Sequence, residues 1–254
     1  MARTPIDRAR RELSQNFLSA RAARRLAAHT GGRLVWEAGA GRGALTAALA
    51  PRCRELVAHE LDPRHAAALR ARFRGARNVR VVAGDFLAAR PPAEPFAVAG
   101  NVPFARTSDI VGWCLAAPSL TTATLITQWE YARKRTGGYG RWTRQTIRTW
   151  PAVEWRLLGR VPRTEFRPVP RVDGGVLRLA RRPAPLLPED LLDDYAAMVD
   201  AGFTGTGGSL HASLRRYAAR RRLDAAFREA ALDRTALVGE ATPEQWLTLA
   251  RVLL

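Results

Sequence analysis

The sequence predicts an α/β domain built on a parallel sheet, followed by a smaller all-helical domain. Three observations carry that expectation. Up to residue 182, short apolar runs alternate with amphipathic stretches, the pattern of βαβ units. Beyond residue 182 helical spacing continues with no strand signal. Between the two lies Arg181-Arg182-Pro183-Ala184-Pro185, a proline-bearing linker at which the charge balance also changes. Residues 1–182 hold 33 basic against 13 acidic side chains, a net of +20, and residues 183–254 hold 8 against 10, a net of −2. The expected domains are therefore 1–182, with a basic tail over 1–12, and 183–254.

The apolar runs 34–38, 56–59, 79–83, 96–99 and 123–127 read as strands, because each is short and bounded by turn or charged residues. Helices are expected between them at 20–28, 44–50, 63–73 and 108–115, where apolar residues recur at helical spacing. Two later runs, 153–158 and 175–179, are expected to close the sheet as an antiparallel pair. After the linker, 188–201, 210–220, 223–231 and 243–253 have helical spacing. The 20 uncharged residues 110–129 are long enough to raise the question of a membrane span. Gly112, Pro118, Ser119, four threonines and Gln128 divide that stretch into a helix and a strand of a soluble core.

The 254 residues carry a formal charge of +18 with a pI near 11.5, and 47% of them are hydrophobic, which excludes collagen, low-complexity disorder and a disulfide scaffold. Lys134 is the only lysine, so the positive charge is almost wholly arginine, the side chain suited to planar, bidentate recognition of phosphates and bases. A polyanionic partner follows. Cys53 and Cys114 have no metal-ligand spacing and read as reduced thiols. No apolar core of a secretory signal follows Met1, so a cytoplasmic protein is expected, with no membrane partner. The four histidines have no metal-ligand spacing, and no metal is expected.

Glu37-Ala38-Gly39-Ala40-Gly41-Arg42-Gly43 follows the first predicted strand and opens a helix. Glycines there permit a tight turn and close approach of a ligand to the backbone. Gly39, Gly41 and Ala44 also fit a dinucleotide fingerprint, with Glu60 placed for ribose hydroxyls, so a nicotinamide cofactor stays open. Glu37 is poorly matched to a pyrophosphate and well matched to a ligand ammonium. Asp85 ends the third strand, where an acid can accept from an adenine amine while Phe86 packs on the ring. Three acids at successive strand ends favour a ligand with adenosine at one end and a cationic amino acid at the other, which describes S-adenosyl-L-methionine.

Gly100-Asn101-Val102-Pro103-Phe104 follows the fourth strand, at the sheet edge where open α/β proteins bind ligands. An exocyclic amine on a base is a poor nucleophile, because its lone pair is delocalised into the ring. Acceptors at the Asn101 side chain and the Val102 carbonyl can hold its hydrogens and turn the lone pair toward a methyl donor, with Pro103 fixing the backbone. Phe104 can stack on a base removed from its neighbours.

These motifs together resemble the rRNA adenine-N6 methyltransferases, and within them the erythromycin-resistance (Erm) type acting on 23S rRNA. The resemblance rests on Ser14-Gln15-Asn16-Phe17-Leu18, the Glu37 to Gly43 loop, His59-Glu60-Leu61-Asp62, Gly84-Asp85-Phe86, Asn101 to Phe104, and Phe166-Arg167-Pro168-Val169-Pro170-Arg171-Val172. It runs from about residue 11 to 179 and more weakly into the tail. It implies a Rossmann-like class I methyltransferase sheet domain with a small helical domain after it. Asn16, Leu18, Gly39, Gly41, Glu60, Leu61, Asp85, Phe86 and Asn101 would contact S-adenosyl-L-methionine. Asn101, Val102, Pro103 and Phe104 would hold the target adenine, and Phe166 would close its other face. The sister family, which dimethylates two small-subunit rRNA adenines, typically has leucine and tyrosine where this chain has Val102 and Phe104. The stretch Glu130 to Arg135, then Tyr139 to Trp142, is similar to the large-subunit type, which implies resistance to macrolides, lincosamides and streptogramin B.

Arg133, Lys134, Arg135, Arg141, Trp142, Arg144 and Arg148, interleaved with Tyr131, Tyr139 and Trp150, form the expected RNA-binding run. Arg3, Arg8, Arg10 and Arg11 form a second basic group, and Arg215, Arg216, Arg220, Arg221 and Arg222 a third. The expected partner is protein-free or pre-assembly 23S rRNA, bound by a monomer mainly through the +20 domain. A non-catalytic RNA-binding assembly factor with the same fold is the alternative from another class.

Overall fold

The computed structural model describes residues 16–254; Ser14, Gln15, Arg3, Arg8, Arg10 and Arg11 lie outside the described residues. The main sheet has seven strands: β2 (Leu34–Ala38), β3 (Glu55–Glu60), β4 (Val79–Ala83), β5 (Phe96–Asn101), β6 (Leu120–Gln128), β7 (Val153–Val161) and β9 (Gly174–Arg181), in the order β4-β3-β2-β5-β6-β9-β7. A separate two-residue pair, β1 (Phe17–Leu18) and β8 (Phe166–Arg167), is antiparallel with Leu18 opposite Phe166. The pairs β2/β3, β3/β4, β2/β5 and β5/β6 are parallel. From β2 the chain winds outward through β3 to β4, then returns to place β5 against the other side of β2, in register Trp36↔Val98 and Glu37↔Ala99. The direction of winding thus reverses between β2 and β5, and the crevice beyond their carboxyl ends is where such sheets bind ligands.

Burial on both faces explains why these strands read as unbroken apolar runs: β2 is buried at all five positions and β5 at its first five. The helix α1 (Ala20–Ala28) begins at Ser19, whose hydroxyl accepts from the Ala22 amide, and it buries Ala22, Ala23, Leu26 and Ala27 on one face. The uncharged stretch resolves as expected into a helix, Thr107–Ala116, and strand β6. No helix among the described residues is long and apolar enough to cross a membrane.

The chain separates into two compact units, 1–132 with 157–179, and 133–156 with 180–254. The division expected at residue 182 is therefore corrected in one respect: 133–156 groups with the helical tail. Its helix, Arg144–Thr149, buries Ile147 in the same apolar cluster as Tyr195, Leu210, Phe227 and Trp246, and the Tyr195 hydroxyl donates to the Ile147 carbonyl at 2.9 Å. Regrouped this way, the first unit has 24 basic and 12 acidic residues, a net of +12, and the second 17 and 11, a net of +6. The tail 183–254 remains at −2; the second unit is positive because 133–156, Arg181 and Arg182 join it.

The helix expected at 210–220 is shorter, Leu210–Ser213: the Leu214 amide still reaches the Leu210 carbonyl at 3.1 Å, but the Arg215 and Tyr217 amides turn to carbonyls three residues back, at 3.4 and 2.9 Å. Leu210 and Leu214 still pack into the cluster, so the apolar spacing was real although the helix is short.

Candidate functional site

Two adjoining clefts lie at the carboxyl ends of β2, β3 and β5. The first is lined by Asn16, Phe17, Leu18, Glu37, Gly39, Ala40, Gly41, Arg42, Ala44, Leu45, Glu60, Leu61 and Asn101 to Phe104. The second is lined by Ala38, Gly39, His59, Leu61, Gly84, Asp85, Phe86, Leu87, Pro103, Arg106 and Ile110. Gly39, Leu61 and Pro103 border both, so the two form one groove. All nine expected cofactor residues line it, as do Asn101, Val102, Pro103 and Phe104.

The glycine loop is shaped by Glu60. This carboxylate is 4% exposed; Oε2 accepts from the Gly41 amide at 2.6 Å and Oε1 from the Asp62 amide at 2.8 Å. The Gly41 amide is thereby engaged within the protein. Gly39 sits at φ +77°, and a Cβ added there would meet nothing within 4 Å, so its bare backbone faces the groove. Gly100 has a different reason: a Cβ would lie 2.8 Å from the Ala38 carbonyl, so only glycine lets β5 approach β2 before Asn101.

Glu37 lies under the loop, 1% exposed, and its Oε2 accepts from the Thr46 hydroxyl at 2.7 Å. Burial pushes its carboxyl up to about 7, with the Glu60 charge adding to the shift and the Thr46 hydroxyl opposing it. A cationic ligand beside Glu37 favours the anion. Two pH effects are expected. In the free protein, the raised pKa means that the folded state binds the proton more tightly than the unfolded chain. That contribution, roughly 3 kcal/mol, is complete below about pH 4.5 and lost as pH rises through about 7. Binding of a cationic ligand beside Glu37 near pH 6.5 should release a proton, seen by calorimetry in buffers of different ionisation enthalpy. Glu37→Gln should abolish both; an unchanged proton count in that variant would refute the assignment.

Asn101 ends β5. Its Nδ2 donates to the Asn16 carbonyl at 2.6 Å, which orients the amide, and its Oδ1 is buried with no partner. A buried acceptor left open is costly unless a ligand hydrogen completes it. Val102 is held by its own amide, donating to the Ile126 carbonyl at 3.2 Å, and its side chain is buried. Phe104 is half-buried on the groove wall, at the start of the turn Phe104–Arg106.

In the second cleft, Asp85 Oδ1 accepts from the Leu87 amide at 2.9 Å, while Oδ2 faces Arg106 at 3.8 Å. Phe86 borders this cleft with a ring buried against Trp36, His59 and Trp113. The exposed apolar wall is Leu61, 45% exposed. His59 is buried within the aromatic group, and burial lowers its imidazole to about 4, so the ring is neutral.

Two expectations are corrected. Phe166 is fully buried and lines neither cleft; pairing of β8 with Leu18 draws its ring into the cluster of Leu18, Ile126, Val161 and Val176. Trp142 is not a free stacking platform, because it packs against the second unit's core and edge-on to Trp150, centroids 5.7 Å apart. Residues missed by sequence reasoning include Phe17 and Arg42, whose guanidinium lies 4.2 Å over the Phe17 ring on the first cleft. Phe17 stood inside a quoted motif, but a two-residue strand has no periodicity to announce it.

The basic run lies in the second unit with unequal engagement. Arg133 donates to the Gly138 carbonyl at 2.7 Å and covers Tyr139, and Arg135 donates to the Thr143 hydroxyl at 3.0 Å. Arg144 and Arg148 face Asp200 at 3.8 and 3.3 Å. Lys134 and Arg141 are exposed without an ion pair among the described residues.

The glycine backbone open to the groove, the acid beneath it and the orphaned Asn101 oxygen fit an adenosyl sulfonium cofactor and an amine substrate. The chain matches the family described as ribosomal RNA adenine dimethylase over residues 6–254. It is 62% identical over 252 residues to the rRNA adenine N-6-methyltransferase of Streptomyces fradiae, covering 97% of this chain and 79% of that protein. It is 39% identical over 253 residues to the mycinamicin-resistance protein MyrB of Micromonospora griseorubida, covering 98% and 80%. The crystal structure of the 23S rRNA methyltransferase ErmE superimposes with a TM-score of 0.91 at 48% identity, covering 94% of this chain and 99% of that one.

Proposed function

The chain belongs to the ribosomal RNA adenine dimethylase family, and from that premise we propose that it methylates the N6 amine of a flipped-out adenine in 23S rRNA with S-adenosyl-L-methionine. The same reading makes it a determinant of macrolide, lincosamide and streptogramin B resistance, in keeping with its likeness to MyrB and ErmE. It acts as a cytoplasmic monomer on protein-free or pre-assembly RNA. The observation that carries the chemistry is the buried, unpartnered Asn101 Oδ1 at the switch point of the sheet.

The cofactor supplies an already activated methyl group on sulfur. The chain positions the acceptor: Asn101 Oδ1 and the Val102 carbonyl each take one hydrogen of the adenine amine, and the lone pair is turned out of the ring toward the methyl carbon. With the cofactor bound, methyl transfer from sulfur would leave that nitrogen one proton to lose to solvent. Phe104 offers a stacking face to the extruded base. Asp85 would accept from the cofactor's adenine amine beside Leu61, and Glu60 would meet the ribose hydroxyls. The test is methyl transfer to protein-free rRNA followed by mass spectrometry of the nucleotide. N6-methyladenine in large-subunit RNA is expected; labelling of small-subunit RNA alone would move the chain to the sister group, and no labelling would leave an RNA-binding factor.

RNA affinity should depend most on the cations that have no partner. Replacing both Lys134 and Arg141 by glutamine is expected to reduce the slope of log K against log salt by about two units, one per phosphate contact. Arg144→Gln and Arg148→Gln should each do less, since Asp200 already screens them. Cofactor affinity should not change in any of these variants. Filter binding at several salt concentrations checks the order; equal effects at all four positions would count against it.

A further inference from the structure

We propose that Arg106 is a positioning residue for the adenine end of the cofactor, acting through Asp85; the inference rests on the cofactor reading of the second cleft given above. Asp85 is fixed on one side only. Its Oδ1 accepts from the Leu87 amide, and Oδ2 is the oxygen left to meet a ligand amine. Arg106 Nη2 stands 3.8 Å from that oxygen, beyond hydrogen-bond range, and its Nε donates to Asp109 Oδ2 at 2.9 Å. The second carboxylate therefore holds the guanidinium in place, while Asp85 gains a neighbouring positive charge without giving up its lone pair. A closer arginine would compete with the adenine amine; a more distant one would leave the carboxylate free to swing into solvent, because 39% of its side chain is exposed.

The placement has a second consequence. Arg106 is the last residue of the turn that follows Asn101 to Phe104, and its amide donates to the Pro103 carbonyl at 2.9 Å. One short turn thus carries Phe104 on the first cleft and Arg106 on the second. The substrate loop and the cofactor's adenine site share a backbone, so the residue that steadies Asp85 is delivered by the element that presents the target base.

The test uses the full chain and calorimetric titration with S-adenosylhomocysteine and its inosine counterpart, which lacks the exocyclic amine. Arg106→Gln is expected to weaken S-adenosylhomocysteine binding about three- to fivefold at low salt, as for a half-exposed ion pair, and less at high salt. The inosine analogue should be little affected, so the preference for adenine narrows. Arg106→Lys should restore part of the loss. In an Asp85→Asn background, Arg106→Gln should have no further effect, as required if the two act as a unit. Melting temperature and rRNA affinity should stay at parent values. Equal loss for both analogues, additive effects with Asp85→Asn, or a fall in RNA affinity alone would overturn the proposal. If Asp85→Asn itself binds S-adenosylhomocysteine normally, the cofactor reading of that cleft fails and the inference falls with it.

Discussion

Asn101→Ala is expected to lower the rate of adenine methylation at least about a hundredfold under single-turnover conditions, with a much smaller change in cofactor affinity. Losing one preorganised group at a reacting centre typically costs two to three powers of ten, and a displacement of about 1 Å at such a centre costs about two. Asn101 is preorganised in that sense: Nδ2 is committed to the Asn16 carbonyl, which leaves Oδ1 as the only side-chain atom able to receive a substrate hydrogen. Alanine removes the acceptor and unties Asn16 at once. Asn101→Asp separates these effects, since it keeps an acceptor but places a carboxylate oxygen against the Asn16 carbonyl. It should therefore retain cofactor binding less well than alanine does. Tritium transfer from S-adenosyl-L-methionine to an rRNA hairpin measures the rate. A parent-like rate in Asn101→Ala would sink the proposed mechanism.

The central strands of the parallel half were legible because strands buried on both faces are largely apolar, as β2 and β5 are, while the half-exposed β4 was legible from its valines. The runs at 34–38 and 79–83 match β2 and β4, and the others gained two to four residues in total at their ends. The groove was legible for a related reason: Gly39, Glu60, Asp85 and Asn101 each terminate or follow a strand, and parallel strands bring their carboxyl ends to one edge. Sequence could not show how neighbouring groups would be used. The Gly41 amide, read as available to a ligand, is taken by Glu60. Phe166 stood in a motif implying an exposed ring, yet two backbone pairs with β1 draw it inward. The segment 133–156 was assigned by its position before the linker. Its affiliation is set by Ile147 and the hydroxyl of Tyr195, 48 residues later, a contact that no local pattern encodes.

Glu60→Ala is expected to disable cofactor binding and to cost about 3 kcal/mol of stability, the worth of two hydrogen bonds to an ionised acceptor. The two amides it receives, Gly41 and Asp62, belong to the turns after β2 and β3, so one side chain sets both walls of the groove. Without it two shielded N–H groups lose their partner, and the loop carrying Gly39 is free to relax. Glu60→Gln should rescue little. A carboxamide offers an oxygen to one amide but turns an N–H₂ toward the other, so donor meets donor. The ligand response distinguishes a lost site from a merely softened fold. Saturating S-adenosylhomocysteine at about 100 times its parent Kd should stabilise the parent by about 2.7 kcal/mol and leave both variants almost unmoved. A variant that melts early but regains the full ligand-induced shift would show that Glu60 supports the fold without shaping the site. Removing the Glu60 charge also removes one of the causes that raise Glu37, so proton release on ligand binding, where any binding survives, should move to lower pH.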